Sequence, residues 1–392
     1  MEVKPDIETI VKIKVVGVGG GGGSAVNRMI AAKIRGVEFL SINTDLQILS
    51  RSHAPIKIAI GQTVTKGQGA GGDPAVGRKS AEESQNDIRD ALAGSDMVFI
   101  TCGLGGGTGT GAAPVVAQLA KDIGALTVAV VTKPFSFELT PRKTIADKGW
   151  EELASKVDAI ITIPNDKILQ IVDKKTSALE AFQIADDVLQ QGVRGISELI
   201  TVPGLINVDF ADVKAIMKET GSALMGIGRG VGENRAVEAA KDAISSPLLD
   251  LSIEGAKGIL FTITGGSDIG ILEINEAAKV VTSSADPDAR VIFGTTIDES
   301  LGDEIIVTVV ATGFSERDKV VSKAPVYEKS YLERSTPSTS QLMFTPPTPR
   351  TVSPAQHVQK DDRKMRSEET PTAADEDDSE IDIPAFIRKK MM

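Results

Sequence analysis

Two glycine clusters are the part of this chain best suited to chemistry. The first runs from Gly19 to Gly23, ahead of Ser24 and behind the β-branched run Val15-Val16-Gly17-Val18. The second is Gly103-Leu104-Gly105-Gly106-Gly107-Thr108-Gly109-Thr110-Gly111. Each stands where an apolar, strand-like run gives way to a segment of helical character. There the first amides of a helix lack partners and the helix dipole favours an anion. A Cβ would block backbone approach to phosphate and the positive φ angles such turns use, so glycine is the residue required. Gly17, Gly19 and Gly22 also satisfy GxGxxG, with Asn43 or Asp45 about twenty residues on. A nucleotide-dependent oxidoreductase is therefore the competing reading of the first loop. The second loop lacks the Lys of GxxxxGK[ST]. Two glycine turns at strand C-termini can hold one polyphosphate from both sides, whereas a dinucleotide enzyme needs only the first.

Composition narrows the rest. Forty-three Lys and Arg against 54 Asp and Glu leave 392 residues with a net charge of −11, which disfavours phosphate backbones and so nucleic acid as a partner. One cysteine, Cys102, excludes an internal disulfide and a cysteine-based zinc site. It ends an apolar run and reads as a small core residue. Two histidines, His53 and His357, leave little for histidine metal clusters or triads, and no protein metal cage is expected. The start MEVKPDIETI has no apolar signal stretch, and no run reaches the ~18 apolar residues of a membrane span. A cytoplasmic chain without direct membrane insertion is the expectation.

The elements that must position these loops alternate strand and helix. Strands are expected at 14–18, 37–42, 97–102, 126–131 and 159–163, with helices at 25–34, 74–92 and 111–122. That order argues for an α/β, Rossmann-like parallel sheet covered on both faces. A long helix is expected over 177–200, where Phe182, Ala185, Leu189, Val193, Ile196 and Ile200 recur every three or four residues as one buried stripe. Pro203-Gly204 stops it. A helix at 213–219 and strands at 258–264, 289–294 and 305–311 form a second, smaller α/β domain. From 330 to 357, 15 of 28 residues are Ser, Thr or Pro, a composition that does not offset its ordering entropy. The expected division is a flexible 1–11, a nucleotide-binding domain at 12–176, a central helix at 177–202, the smaller domain at 203–316, a disordered linker at 317–379 and a partner-binding peptide at 380–392. Between Asp382 and Arg388, Ile383, Phe386 and Ile387 offer an apolar face of the kind that folds onto a partner.

Other candidates have ordinary readings beside functional ones. Taken as an isolated pair, Glu138 and Arg142 read as solvated surface charges, although a carboxylate can accept from hydroxyls and an Arg fork suits phosphate. Phe182 and Asp186 share a helix face and, on the residues alone, read as a core Phe and an exposed Asp, although such a pair can also stack on and accept from a base. Asn43 could be a turn residue after a strand. Asn207, Asp209 and Asp212 could polarise water, or cap the helix they open.

GGGTGTG at 105–111, with the first glycine run, NVDFAD at 207–212 and IPAF at 383–386, resembles the tubulin/FtsZ superfamily over 12–315 and again at the C-terminal peptide. The resemblance implies that Gly20, Gly21, Gly22, Gly23 and Ser24, with Gly105, Gly106, Gly107, Thr108 and Gly109, bind the phosphates of GTP or GDP. It places Asn43 beside the nucleotide and Glu138 and Arg142 at its ribose and phosphates. Phe182, Asp186 and Asn165 go to guanine. It gives Asn207, Asp209 and Asp212 to hydrolysis at a neighbouring subunit's site, in head-to-tail filaments of the cytokinetic ring at the bacterial mid-cell division site. Mg²⁺ is expected to be held through phosphates and water, and membrane-tether and regulatory division proteins are expected on the peptide at 382–388.

Overall fold

The computed structural model describes residues 11–170, 172, 175–247 and 253–314. The linker and the C-terminal peptide anticipated above lie outside these residues. In the first half, β1 (Ile13–Val18), α1 (Gly19–Ala31), β2 (Val37–Asn43), α2 (Leu46–Ser50), β3 (Ile56–Ala59), α3 (Gln62–Thr65), α4 (Pro74–Glu83) and α5 (Gln85–Leu92) lead to β4 (Met97–Gly103), α6 (Thr108–Asp122), β5 (Leu126–Lys133), α7 (Leu139–Ala154), β6 (Ala159–Pro164) and α8 (Asn165–Ile168). Then come α9 (Ala178–Thr201), α10 (Phe210–Met217), β7 (Gly221–Val231), α11 (Arg235–Ile244), β8 (Gly258–Gly265), α12 (Ile271–Ser283), β9 (Arg290–Ile297) and β10 (Glu304–Thr312).

The strands form one ten-stranded sheet in the order β3-β2-β1-β4-β5-β6-β7-β10-β8-β9. From β3 to β6 every pairing is parallel, and β7 continues in parallel through Ala159–Gly221 to Ile161–Ala223. β10 then runs antiparallel between β7 and β8, and β9 pairs in parallel with β8. Strands covered by helices on both faces bury every side chain, as along Met97–Cys102 of β4. Two apolar clusters fill the two faces of the parallel half, and a third lies under α11 and α12.

Several expectations change here. The helix read across 74–92 is two, broken at Ser84, whose φ of −104° and ψ of 20° leave helical geometry. Its hydroxyl accepts from the Gly61 amide at 3.3 Å, a contact to a segment 23 residues earlier that holds the side chain at the break. Strands β3 and β7 were not anticipated. β7 reads poorly because its glycines break the apolar pattern. A Cβ at Gly228 would sit 1.9 Å from the carbonyl oxygen of Ala239, so these glycines let α11 lie against the sheet. The stripe on α9 buries Ala185, Leu189, Val193 and Ile196, but Phe182 is 46% exposed.

α9 opens with a reciprocal capping box. The Ser177 hydroxyl accepts from the Glu180 amide at 3.2 Å, and the Glu180 carboxylate accepts from the Ser177 amide at 2.7 Å. At 24 residues it spans about 36 Å, at 1.5 Å per residue. Its far end reaches the N-terminal edge of the parallel strands, where the Thr201 hydroxyl donates to the Arg35 carbonyl just before β2.

Candidate functional site

From β1 the chain winds outward to β2 and β3 on one side and later to β4, β5 and β6 on the other. Neighbours β1 and β4 therefore flank a topological switch point, and ligands of open α/β sheets bind outside the strand C-termini there. Both glycine clusters leave the sheet at that place. Their backbones touch: Gly19 has a φ of +73°, and a Cβ on it would lie 2.9 Å from the Gly109 amide nitrogen. α1 starts at Gly19 and α6 at Thr108, so the partnerless first amides of two helices converge. Thr44 and Thr108 share a hydroxyl hydrogen bond of 2.7 Å, tying the end of β2 to the start of α6. The Gly105 amide donates to the Thr110 hydroxyl at 2.9 Å and fixes the turn between them.

These loops form one wall of a cavity of about 400 Å³. Gly20, Gly21, Gly106, Gly107, Thr108 and Gly109 line it on the phosphate-loop side, and Glu138, Arg142, Asn165, Phe182 and Asp186 on the others. The remaining anticipated residues stand behind. Gly22 and Gly23 are buried inside α1, where a Cβ on Gly22 would meet the Thr101 carbonyl oxygen at 2.3 Å. Gly105 is also buried, and Ser24 faces solvent away from the cavity. Asn43 is buried and its side-chain oxygen accepts from the Asp45 amide, so it shapes the turn after β2 without lining the cavity.

The far wall is aromatic and acidic. Phe135, itself buried, meets Phe182 edge-on at 5.4 Å and stacks on Phe137 at 4.9 Å, which holds the exposed face of Phe182 toward the cavity. Burial pushes the Asp186 carboxyl above its ordinary value, and the guanidinium of Arg28, donating from Nε to Oδ2 at 3.1 Å, pulls the other way. The side-chain oxygen of Asn165 is buried with no hydrogen-bond partner in the protein. An orphaned acceptor on a cavity wall costs about 1–3 kcal/mol unless a ligand donates to it. Glu138 accepts from the Phe135 amide at 2.9 Å and pairs with Arg142 at 3.0 Å. Across the cavity, a Cβ on Gly106 would meet no protein atom within 4 Å, so that glycine leaves room for something else. The site thus offers a phosphate cradle at one end and hydrogen-bonding and stacking groups for a base at the other.

Asn207, Asp209 and Asp212 are not part of this cavity. They follow α9 at the opposite edge of the parallel strands. There the Asn207 side-chain oxygen accepts from the Gly204 amide at 2.6 Å, and Asp209 caps α10 by accepting from the Asp212 amide at 2.8 Å. Asp212 pairs with Arg290 at 2.9 Å. Sequence reasoning missed Arg28, Thr44, Leu104, Thr132 and Pro134 around the cavity. Arg28 carries a faint signal, a cation in the last turn of the glycine-led helix, but nothing in the sequence points it at a carboxylate 158 residues away.

Converging helix N-termini at the switch point, beside a base-sized aromatic and acidic wall, define a nucleotide-binding α/β protein of the doubly wound class. Residues 12–173 match the GTPase domain of the Tubulin/FtsZ family, and residues 221–315 match the C-terminal domain of the FtsZ family. Among solved structures, the chain is similar to an empty FtsZ dimer from M. jannaschii, at 50% identity over 78% of this chain and 89% of that one, with a TM-score of 0.76. It shares its fold with the GDP-bound monomer of CetZ1 from Haloferax volcanii, at 21% identity over 80% and 98% of the two chains and a TM-score of 0.68. The same holds for the GTPγS-bound protofilament of CetZ2 from Haloferax volcanii, at 20% identity, 80% and 96% coverage and a TM-score of 0.65. The chain belongs to the Tubulin/FtsZ family and is a GTPase. That membership displaces the oxidoreductase reading of the first glycine loop.

Proposed function

We propose that this GTPase assembles head to tail into filaments and hydrolyses GTP at each junction, within a division ring. The observation that carries the reading is the separation of its two candidate half-sites. The nucleotide cavity lies at the C-terminal edge of the parallel strands, while Asn207, Asp209 and Asp212 lie beyond the far end of α9. In a single subunit these carboxylates cannot reach a γ-phosphate. A second subunit stacked on the first brings them there, and a heterologous contact that does not close produces a filament. Asn207 and Asp209 are exposed, and Asp212 is partly so, available to a neighbour. Phe137 and Leu139 on the cavity rim and Leu205 beside the acidic loop are exposed apolar side chains that such a contact would cover. The FtsZ relative from M. jannaschii is itself described as a dimer.

Within the cavity, the amides of Gly20, Gly21 and Gly106 to Gly109 hold the phosphates. Gly22, Gly23, Ser24, Asn43 and Gly105 support those loops from behind. Glu138 accepts from ribose hydroxyls and Arg142 faces the sugar and phosphates. Phe182 stacks on guanine, Asp186 accepts from its N1–H and exocyclic amino group, and Asn165 gains the donor it lacks. Asp209 and Asp212 of the adjoining subunit, with Asn207, orient and polarise the attacking water. Mg²⁺ keeps part of its hydration shell, and in this reading it is held through phosphates and water and neutralises charge there. In this reading 12–176 carries the nucleotide, 177–202 links it to 203–316, and the segment from Asp382 to Arg388 recruits membrane tethers. Among the described residues no helix is long and apolar enough to cross a membrane.

GTP turnover per subunit, measured across protein concentration, tests the central claim together with sedimentation in GTP and in GDP. Turnover should climb steeply where filaments begin to sediment. Asp212→Ala should bind nucleotide yet lose turnover, and should poison wild-type protein when mixed with it. Equal turnover per subunit in dilute and concentrated protein would show that each subunit is a complete enzyme.

A further inference from the structure

Arg28 links the two ends of the nucleotide cavity. It lies in the last turn of α1, the helix whose first turn is the glycine run, and it reaches across to α9. Its Nε donates to Oδ2 of Asp186 at 3.1 Å, and its Nη1 lies 3.7 Å from Oδ1 of Asp187. The two carboxylates differ. Asp187 is largely exposed, whereas Asp186 is four-fifths buried and lines the cavity. We propose that Arg28 is a positioning residue that sets base specificity by orienting the Asp186 carboxylate toward the nucleobase. The proposal rests on Asp186 reading the base.

The chemistry turns on how a carboxylate discriminates. An ionised carboxylate offers two oxygens with about four lone-pair directions. A guanidinium N–H on Oδ2 uses one of them and leaves both oxygens able to accept from N1–H and the exocyclic amino group of guanine. It also stops the carboxylate from turning about its terminal bond, which otherwise has a broad rotational well. The surroundings otherwise favour a neutral acid. Burial opposes the charge, the neighbouring Asp187 adds to that opposition, and Glu138 across the cavity is already paired with Arg142. A protonated carboxyl carries a donor and has fewer acceptor sites. It would lose one contact to guanine and gain one to the C2 carbonyl of xanthine. Removing Arg28 should therefore shift preference away from guanine and toward xanthine, with hypoxanthine, which has no group at C2, moving least.

The experiment is competition binding of GDP, IDP and XDP against a fluorescent GDP analogue, using the full chain and Arg28→Met, Arg28→Gln and Arg28→Lys. Wild-type protein should favour GDP over XDP. In Arg28→Met and Arg28→Gln that ratio should fall about tenfold or more, the worth of one hydrogen bond to a charged group. Arg28→Lys should recover part of it, because charge is kept. The ratio of GDP to GMP affinity should stay at its wild-type value in all three, since the phosphate loop lies at the other end of α1. Should Arg28→Met not fold, Arg28→Gln reads the same quantity. Uncharged variants that retain the wild-type GDP-to-XDP ratio overturn the role of Arg28. So does loss of GDP over GMP preference in step with base preference, which would mark a general disturbance of α1. A wild-type protein that binds all three diphosphates alike overturns the base reading of Asp186 itself.

Discussion

Gly106 separates the space we propose for phosphate from the space the fold needs. Its backbone lies outside the left-handed region, so alanine is sterically allowed there. A methyl group at Cα would find no protein atom within 4 Å. In the free protein Gly106→Ala should therefore be neutral or stabilising, by up to about 1 kcal/mol through reduced freedom of the unfolded chain. Nucleotide binding should suffer, because the methyl occupies the gap over which the loop amides reach the phosphates. Losing one charge-assisted amide contact removes about 1.5–3 kcal/mol, a rise in Kd of roughly tenfold to a hundredfold. Gly22→Ala is the internal contrast. Its Cβ would lie 2.3 Å from the Thr101 carbonyl oxygen, so the loss there should be folding stability, about 1–3 kcal/mol or more. Thermal melts of nucleotide-free protein and titration with fluorescent GDP separate the two effects. If Gly106→Ala binds GDP with wild-type affinity, the phosphates do not lie against that loop and the cradle is wrongly placed.

Other expectations follow from the charged and apolar groups elsewhere. Arg235 is buried against Glu273 and holds that carboxylate below its ordinary value of 4.5, so the stabilisation is complete above pH ~4.5 and fades as pH falls through the lower folded value. Glu273→Gln should thus cost about 1–3 kcal/mol at pH 7 and progressively less as pH falls below 4.5; a penalty that does not change with pH would show that shape, not charge, matters. Cys102 is fully buried and its thiol is pushed up to about 12, so native protein at pH 8 should react with a thiol reagent no faster than it unfolds. Deleting residues 381–392 should leave GTP turnover and sedimentation unchanged while abolishing recruitment to vesicles that carry a tether protein; normal recruitment of the truncated chain would remove the docking role from that peptide.

Most of the parallel half was legible in the sequence. Short β-branched runs ending in glycine are strong local signals, and burial on both faces leaves no alternation to misread, as β4 shows with Met97–Cys102. The long helix was equally plain from its apolar spacing and from Pro203-Gly204 beyond its end. β7 was not legible because four of its 11 residues are glycines, and two of them, Gly228 and Gly230, answer to the close approach of α11 and not to strand propensity. The break at Ser84 depends on a bond from the Gly61 amide, a partner 23 residues away that local pattern cannot supply.

The division of labour at the site follows the same physical line. Residue types and local spacing singled out the glycine loops as anion-binding turns, a property of a few neighbouring residues, while Phe182 with Asp186 and Asn207 with Asp209 and Asp212 drew their functional readings from the family resemblance. Which of them share a cavity was decided only by the tertiary structure. The strand order put both glycine loops at one switch point and Phe182 and Asp186 across from them, while the length of α9 carried Asn207, Asp209 and Asp212 to the opposite edge. The buried Phe135 behind Phe182, the Arg28 beside Asp186 and the partnerless oxygen of Asn165 all come from segments distant in sequence. Burial and charge pairing between remote segments depend on three-dimensional distance, which a linear pattern does not contain.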